Sequence, residues 1–276
     1  MSWLLYGIND YQVSLSKDDI EILQQKFLYH ESWYCYDGKW IIMSPVHVKS
    51  MLKDFLQSIG IYVNTYLEHN YNILKQLLYK SIIFDPKHLL CFKNGTYDLT
   101  THQFRKSCWN DYCTLWCDYN FEPVPMNKND RQLVSVMYFI FIGKPLIIYD
   151  RHVNYSFFRF VDKLFGQYSK STKLSYLTKP ELNYRCIIDV YSIDDIDKVR
   201  MIAKTTTVIG VTSQKLQEGC LLETNQDISN INVLSFMNQL IALDQIPIQW
   251  ITFKQQTILV NDIANYILLF LYDIMI

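Results

Sequence analysis

The 276-residue chain is 50% hydrophobic and 19% charged with only 8 glycines, which excludes disordered, collagen-like and low-complexity classes. Its length accommodates one large core or two smaller ones. A formal net charge of -1 gives no global attraction for nucleic acid, so any such partner must be held by a local patch.

The first residues, MSWLLYGINDYQVSLSKDDIE, lack a basic region followed by an apolar run, so no secretory signal is expected. Seven cysteines in such a chain predict a reducing compartment and free thiols. Ser16 followed by Asp19 and by Ile20, Ile22, Leu23, Phe27 and Leu28 predicts a capped amphipathic helix. In SWYCYDGKWIIM, Asp37-Gly38 between aromatic arms predicts a hairpin with a two-residue type I′ turn. Helical spacing of apolar residues from Pro45 to Ile82 predicts two helices, broken near Gly60 or Asn70.

A second hairpin is expected in HLLCFKNGTYDLTTHQFRK, with Leu90 and Phe92 on one arm, Tyr97 and Leu99 on the other, and the turn at Asn94-Gly95. The segment EPVPMNKND, 122–130, reads as a solvated linker made extended by its prolines. Two apolar stretches, 133–149 and the C-terminal ILVNDIANYILLFLYDIMI, are too short or too polar to span a membrane and are expected in cores. Gly143-Lys144-Pro145 predicts a turn. Strands at 145–149, 186–190 and 207–212 alternate with helices around 154–168 and 194–204, the pattern of a parallel α/β sheet. A helix at 231–243, a strand near 248–253 and a helix at 257–275 complete the expected elements. Cys108, Cys113 and Cys117, with His102 upstream, lack the close pairing of a zinc site, and the thiols read as small hydrophobes.

In order, WYCYDGKW, two helices, LLCFKNGTYDLTTHQFRKSCWNDYCT and an α/β unit resemble the poxvirus-type primase-helicases of large DNA viruses and phages. The matching residues are Trp33, Tyr34, Tyr36 and Trp40, then Phe92, Asn94, Gly95, Tyr97, Asp98, Leu99, Phe104, Arg105, Asp111, Tyr112 and Thr114. The resemblance implies an α/β chain: an N-terminal α+β domain with two hairpins at 1–125, preceding a superfamily 3 AAA+-like domain with a mainly parallel sheet at 126–276. It further implies an intracellular setting in viral or mobile-element DNA replication, in host cytoplasm, nucleus or a viral replication site.

A helicase of this kind requires a glycine-rich loop with a lysine to hold phosphates, a carboxylate for Mg²⁺ and a polar sensor. After the strand PLIIY the chain reads DRHVNYSFF, with neither glycine nor lysine and with Asp150 adding negative charge. Asn154, Ser156, Asp189 and Thr212 are the remnants of a nucleotide site that the resemblance would assign. Asp189 lacks the usual paired carboxylate and Thr212 stands where asparagine is usual, so with the loop three departures together lead to the expectation of a degenerate domain without ATP hydrolysis, cofactor, metal or catalytic residues.

Two classes of partner then compete. Arg151, Arg159, Lys163, Lys170, Lys173, Lys179 and Arg185 outnumber the acids between them, and Tyr155, Tyr168, Tyr176 and Tyr184 are interleaved, as contact with single- or double-stranded DNA would require. A solvated basic face around core tyrosines is the alternative, leaving a protein–protein module that joins a replicative helicase, another replication protein or a second copy. A metal-dependent nuclease could be assembled from Asp189, Asp194, Asp195 and Asp197. Acids at an expected helix start more often compensate its dipole.

Overall fold

The structure is a computed structural model. It describes residues 15–60, 71–127, 129–150, 155–177, 184–189, 196–212, 220–221 and 228–245. The expected strand near 248–253 and helix at 257–275 lie outside the described residues. Two compact units result, Met1–Pro86 with Ser107–Thr114, and Lys87–Lys106 with Leu115–Ile276.

In the first unit, helix α1 (Lys17–Lys26) begins at the expected capping box. The Ser16 hydroxyl accepts from the Asp19 N–H at 3.1 Å, and the Asp19 carboxylate accepts from the Ser16 N–H at 3.0 Å. Strands β1 (Phe27–His30), β2 (Ser32–Tyr36) and β3 (Trp40–Met43) form an antiparallel sheet in that order. Their turn corrects the expected type I′. Tyr36 pairs with Trp40, so three residues form the loop, and only Gly38 takes a left-handed conformation (φ 71°).

Helix α2 (Pro45–Ser58) has Ser44 as its N-cap and buries Val48, Leu52 and Leu56, a four-residue spacing that lines one face. It ends beside Gly60 (φ 82°), where the break was expected. Helix α3 spans 71–77. Leu74 and Leu78 join Leu23, Phe27, Trp33 and Leu52 in one core. A second core gathers Leu28, Trp40 and Phe84 with Trp109 and Tyr112.

The second unit contains two sheets. Strands β4 (Leu89–Phe92), β5 (Gly95–Asp98) and β6 (Gln103–Arg105) are antiparallel. Strands β7 (Ile147–Asp150), β8 (Ser169–Thr172), β9 (Cys186–Asp189), β10 (Thr207–Val211) and β11 (Cys220–Leu221) are all parallel, in the order β11-β7-β10-β9-β8. Strands β9 and β10 are buried at every residue, as their continuous apolar runs require when both faces are covered. Helices α4 (Arg131–Phe141), α5 (Tyr155–Phe165), α6 (Ile196–Ile202) and α7 (Val233–Asp244) accompany the sheet. The arrangement is that of a mixed α/β protein, consistent with an AAA+-like domain.

The FKNGTYDL hairpin also moves by one residue from its expected turn. Phe92 pairs with Gly95, so Lys93-Asn94 are the loop and Gly95 opens β5. A Cβ at Gly95 would lie 2.5 Å from the Phe104 ring and 2.6 Å from the Arg105 carbonyl oxygen, so close approach of β6, not a left-handed turn, requires glycine.

The segment 122–130 is solvated over most of its described residues, as its composition suggests, but it is also fastened to α7. The Asn127 N–H donates to Ser235 Oγ (2.7 Å), Ser235 Oγ donates to the Pro125 carbonyl (2.9 Å), and buried Asn129 donates to Gln239 Oε1 (2.8 Å). The segment is thus held along α7. The compact units also depart from a division at residue 125, since β4 to β6 pack within the second unit.

Candidate functional site

The carboxyl edge of the parallel sheet is where open α/β folds bind ligands, especially where the strand order reverses. Here β7 and β10 are neighbours, while the strands that follow them, β8 and β11, lie on opposite sides of that pair. Val211 lies opposite Asp150 and Ile209 opposite Ile188, which brings the end of β7, Asp189 and Thr212 to one edge.

The side chains there serve the fold. Asp189 is 2% exposed, and its carboxylate accepts the Leu174 N–H at 3.3 Å, tying β9 to the chain after β8. Thr212 is buried. Ser156 is exposed in the first turn of α5, and Asn154 and Arg151 lie outside the described residues.

The basic series divides in depth. Arg159 and Lys163 are exposed on α5, four residues apart on one face. Lys170 is half-buried with its ammonium 5.1 Å from the centroid of the Tyr184 ring, and Lys173 is half-buried. Lys179 lies outside the described residues. Arg185 is a correction: at 3% exposure it is interior, donating to the carbonyls of Lys87 (3.0 Å), Leu89 (2.8 Å) and Phe141. Tyr155 and Tyr176 are exposed, whereas Tyr168 is buried and accepts the Cys91 N–H at 2.9 Å. Asp162 accepts from Ser169 and Ser171, joining α5 to β8.

The proposed nuclease carboxylates are not gathered among the described residues. Asp189 is interior, Asp197 is 95% exposed beside Arg200 (3.5 Å), and Asp194 and Asp195 lie outside the described residues. Cys108 is exposed, while Cys113 and Cys117 are buried. Burial pushes the Cys117 thiol well above its ordinary value, the opposite of an activated thiolate. Among the described residues no group of three His, Cys, Asp or Glu is placed to hold a metal ion. No helix among them is long and apolar enough to cross a membrane.

The recurrent phrases of the sequence act as fasteners. Trp33 and Trp40 are buried, Tyr34 is half-buried, and Trp40 Nε1–H donates to the Trp109 carbonyl at 2.7 Å. Asp111 accepts the Cys108 N–H (2.8 Å), Tyr112 stacks with Trp40, and the Thr114 N–H donates to Asp85 (2.6 Å). Asn94 grips the Phe121 backbone twice, donating to its carbonyl and accepting from its N–H, each at 2.8 Å. The rings of Phe92, Phe104 and Phe121 pack together around this grip. Asp98 accepts the Thr100 N–H (2.8 Å), and the Leu99 N–H donates to the His88 carbonyl (2.8 Å).

Tyr97 leads to a residue that sequence reasoning missed. Its hydroxyl donates to buried Asp244 at 2.8 Å, and Asp244 also meets His102 Nδ1 at 2.8 Å and the Tyr138 hydroxyl at 3.3 Å. Burial, then the hydrogen bond to Asp244, pushes the Tyr97 hydroxyl upward. These partners are more than a hundred residues apart in sequence, so no local signal marks them. Also unmarked is an open groove of about 400 Å³ in the first unit, lined by Tyr29, Asn72, Lys75, Gln76 and Tyr79.

Residues 27–137, from β1 into α4, match the family model described as D5 N terminal like. No curated protein is significantly similar to the chain. The match relates this segment, less than half of the chain, to D5 N-terminal-like domains.

Proposed function

We propose, from that relationship, that the chain is a non-catalytic accessory protein of viral or mobile-element DNA replication. It acts by binding DNA, a replicative helicase or another replication protein, on a frame inherited from a primase-helicase. The observation that carries this reading is the state of the sheet's carboxyl edge. The parallel strands are retained, yet Asp189 is engaged by a backbone N–H and Thr212 is buried.

Phosphoryl transfer depends on positioning and electrostatic stabilisation of the triphosphate, so a segment after β7 without lysine or glycine lacks the groups that supply both. The chain between β7 and α5 reads Arg-His-Val-Asn, with Ser156 as its one echo of the phosphate loop. That pattern supports a scaffold whose surfaces do the work.

The decisive measurement is nucleotide hydrolysis by the full chain with Mg²⁺. Phosphate release equal to a protein-free blank is expected. Turnover that Ser156→Ala abolishes would overturn the reading.

A further inference from the structure

The groove between β1 and α3 carries a different activity from the sheet edge, and nothing in the family match assigns one to it. We propose that it is a binding site for single-stranded nucleic acid, in which exposed Tyr79 stacks on a base and Lys75, resting over the Tyr29 ring, meets the backbone phosphate.

The walls are unlike a generic surface. Tyr79 is 53% exposed although it is a large aromatic residue, and its ring lies 6.4 Å from that of Tyr29 and 6.5 Å from that of His30, nearly parallel to the latter. Tyr29 is held from behind by buried Trp33, edge-on at 5.2 Å, so one wall is a supported aromatic platform. The Lys75 ammonium stands 4.2 Å from the centroid of the Tyr29 ring. Asn72 and Gln76, exposed on α3 with Lys75, add amides able to both donate and accept at a base edge.

This set of aromatic faces, a cation and amides is the chemistry that recognises unpaired bases on a charged strand. A peptide added as an extra strand is disfavoured at the same place. The edge of β1 is already closed there, with the Tyr29 N–H donating to the Leu78 carbonyl (3.0 Å) and the Lys80 N–H donating to the Tyr29 carbonyl (3.1 Å). His30 Nδ1 is likewise engaged with the Lys80 carbonyl (3.0 Å). Backbone pairing is therefore taken, leaving recognition to side chains. An apolar helix is a poor fit because three of the five lining residues are Asn, Lys and Gln.

The test uses the full chain and a fluorescein-labelled oligothymidylate of about 12 nucleotides, with anisotropy followed from about 50 mM salt upward. Tyr79→Ala is expected to weaken binding between about fivefold and a hundredfold, the range for losing one stacked base. Tyr79→Phe keeps the ring and is expected to bind as the parent does. Lys75→Gln is expected to reduce the salt slope by about one contact. Each variant is checked by circular dichroism and melting; Tyr79 is half exposed, so the fold should be retained.

Parent-like affinity in folded Tyr79→Ala overturns the inference, and so does loss of binding confined to an Arg159→Gln, Lys163→Gln double variant. The latter outcome would leave DNA contact through α5 standing. Absence of oligonucleotide binding at low salt removes both the groove and the DNA part of the proposed function, while leaving the helicase-partner part to be judged by co-sedimentation. Capture of a helicase that Tyr79→Ala abolishes, with anisotropy unchanged, would reassign the groove to a protein and overturn this inference.

Discussion

Replacing Arg185 with methionine separates a structural arginine from a DNA-binding one. The guanidinium supplies hydrogen bonds to three carbonyl groups, on Lys87, Leu89 and Phe141, from a position 3% exposed. Its planar head also lies 5.5 Å from the centroid of the Tyr168 ring. A buried polar group left without its partner costs about 1–3 kcal/mol. Methionine refills much of the volume, so the dominant loss is that of the acceptors. One effect opposes it: Lys87 is held below its ordinary value by burial and, secondarily, by the Arg185 charge, and removing that charge relieves the repulsion. Three acceptors left unpaired at about 1–3 kcal/mol each, less the relief at Lys87, leave a destabilisation of about 3–5 kcal/mol.

In urea, with a slope of about 2 kcal/mol per molar, this moves the midpoint of the second unit down by about 1.5–2.5 M without changing the slope. The chain has two units, so the transition must be followed with probes specific to the second and not fitted as one step. A midpoint within about 0.3 M of the parent would refute the assignment. So would a loss of DNA affinity with the midpoint intact.

Gly95→Ala is expected to destabilise the second unit by about 1–3 kcal/mol, because the Phe104 ring can swing aside but the Arg105 carbonyl belongs to the β5–β6 ladder; an unchanged melting midpoint would contradict the close packing. High pH offers a test of the interior. Burial raises the hydroxyls of Tyr97, Tyr119 and Tyr138 from 10.0 and the thiols of Cys117 and Cys186 from 9.0. The unfolded chain therefore loses these protons first, so their contribution is complete below about pH 9 and declines above it by about 1.4 kcal/mol per pH unit for each group ionised. Lys87 runs the other way, since its lowered value makes the unfolded state bind the extra proton until about pH 10.5, but it is one group against five. Urea midpoints that stay level or rise from about pH 8 to pH 11 would refute this balance.

Much of the fold could be read from residues whose partners are close in sequence. The Ser16–Asp19 box and the apolar runs of β9 and β10 carry their own signals, one by reciprocal hydrogen bonding and the others by burial on both faces. Strand β8, Ser-Lys-Ser-Thr, has no such pattern because among the described residues it is an edge strand paired only with β9. The Asn-Gly signal misplaced its turn by one residue, since Gly95 answers to Phe104 across the sheet rather than to its own backbone angle. Polar residues were read as solvated in 122–130, whereas Asn129 has a buried partner 110 positions away on α7.

For the candidate sites, chain position placed Asp189 and Thr212 at the correct strand ends, but depth was invisible. Arg185 and Lys163 look alike in sequence and differ entirely in exposure. The Tyr29–Tyr79 groove was illegible because one side comes from a strand and the other from α3 and the residues just after it, far along the sequence.

The interleaving of the units has a practical consequence for anyone dividing the gene. The first unit owns two separate stretches, Met1–Pro86 and Ser107–Thr114, so no single cut excises it whole. A fragment ending at residue 125 would carry the 89–105 sheet without Asp244 to receive Tyr97 and without Arg185 to cap the Leu89 carbonyl. Such a fragment would expose a sticky aromatic sheet, and its insolubility would report on the cut instead of on the domain.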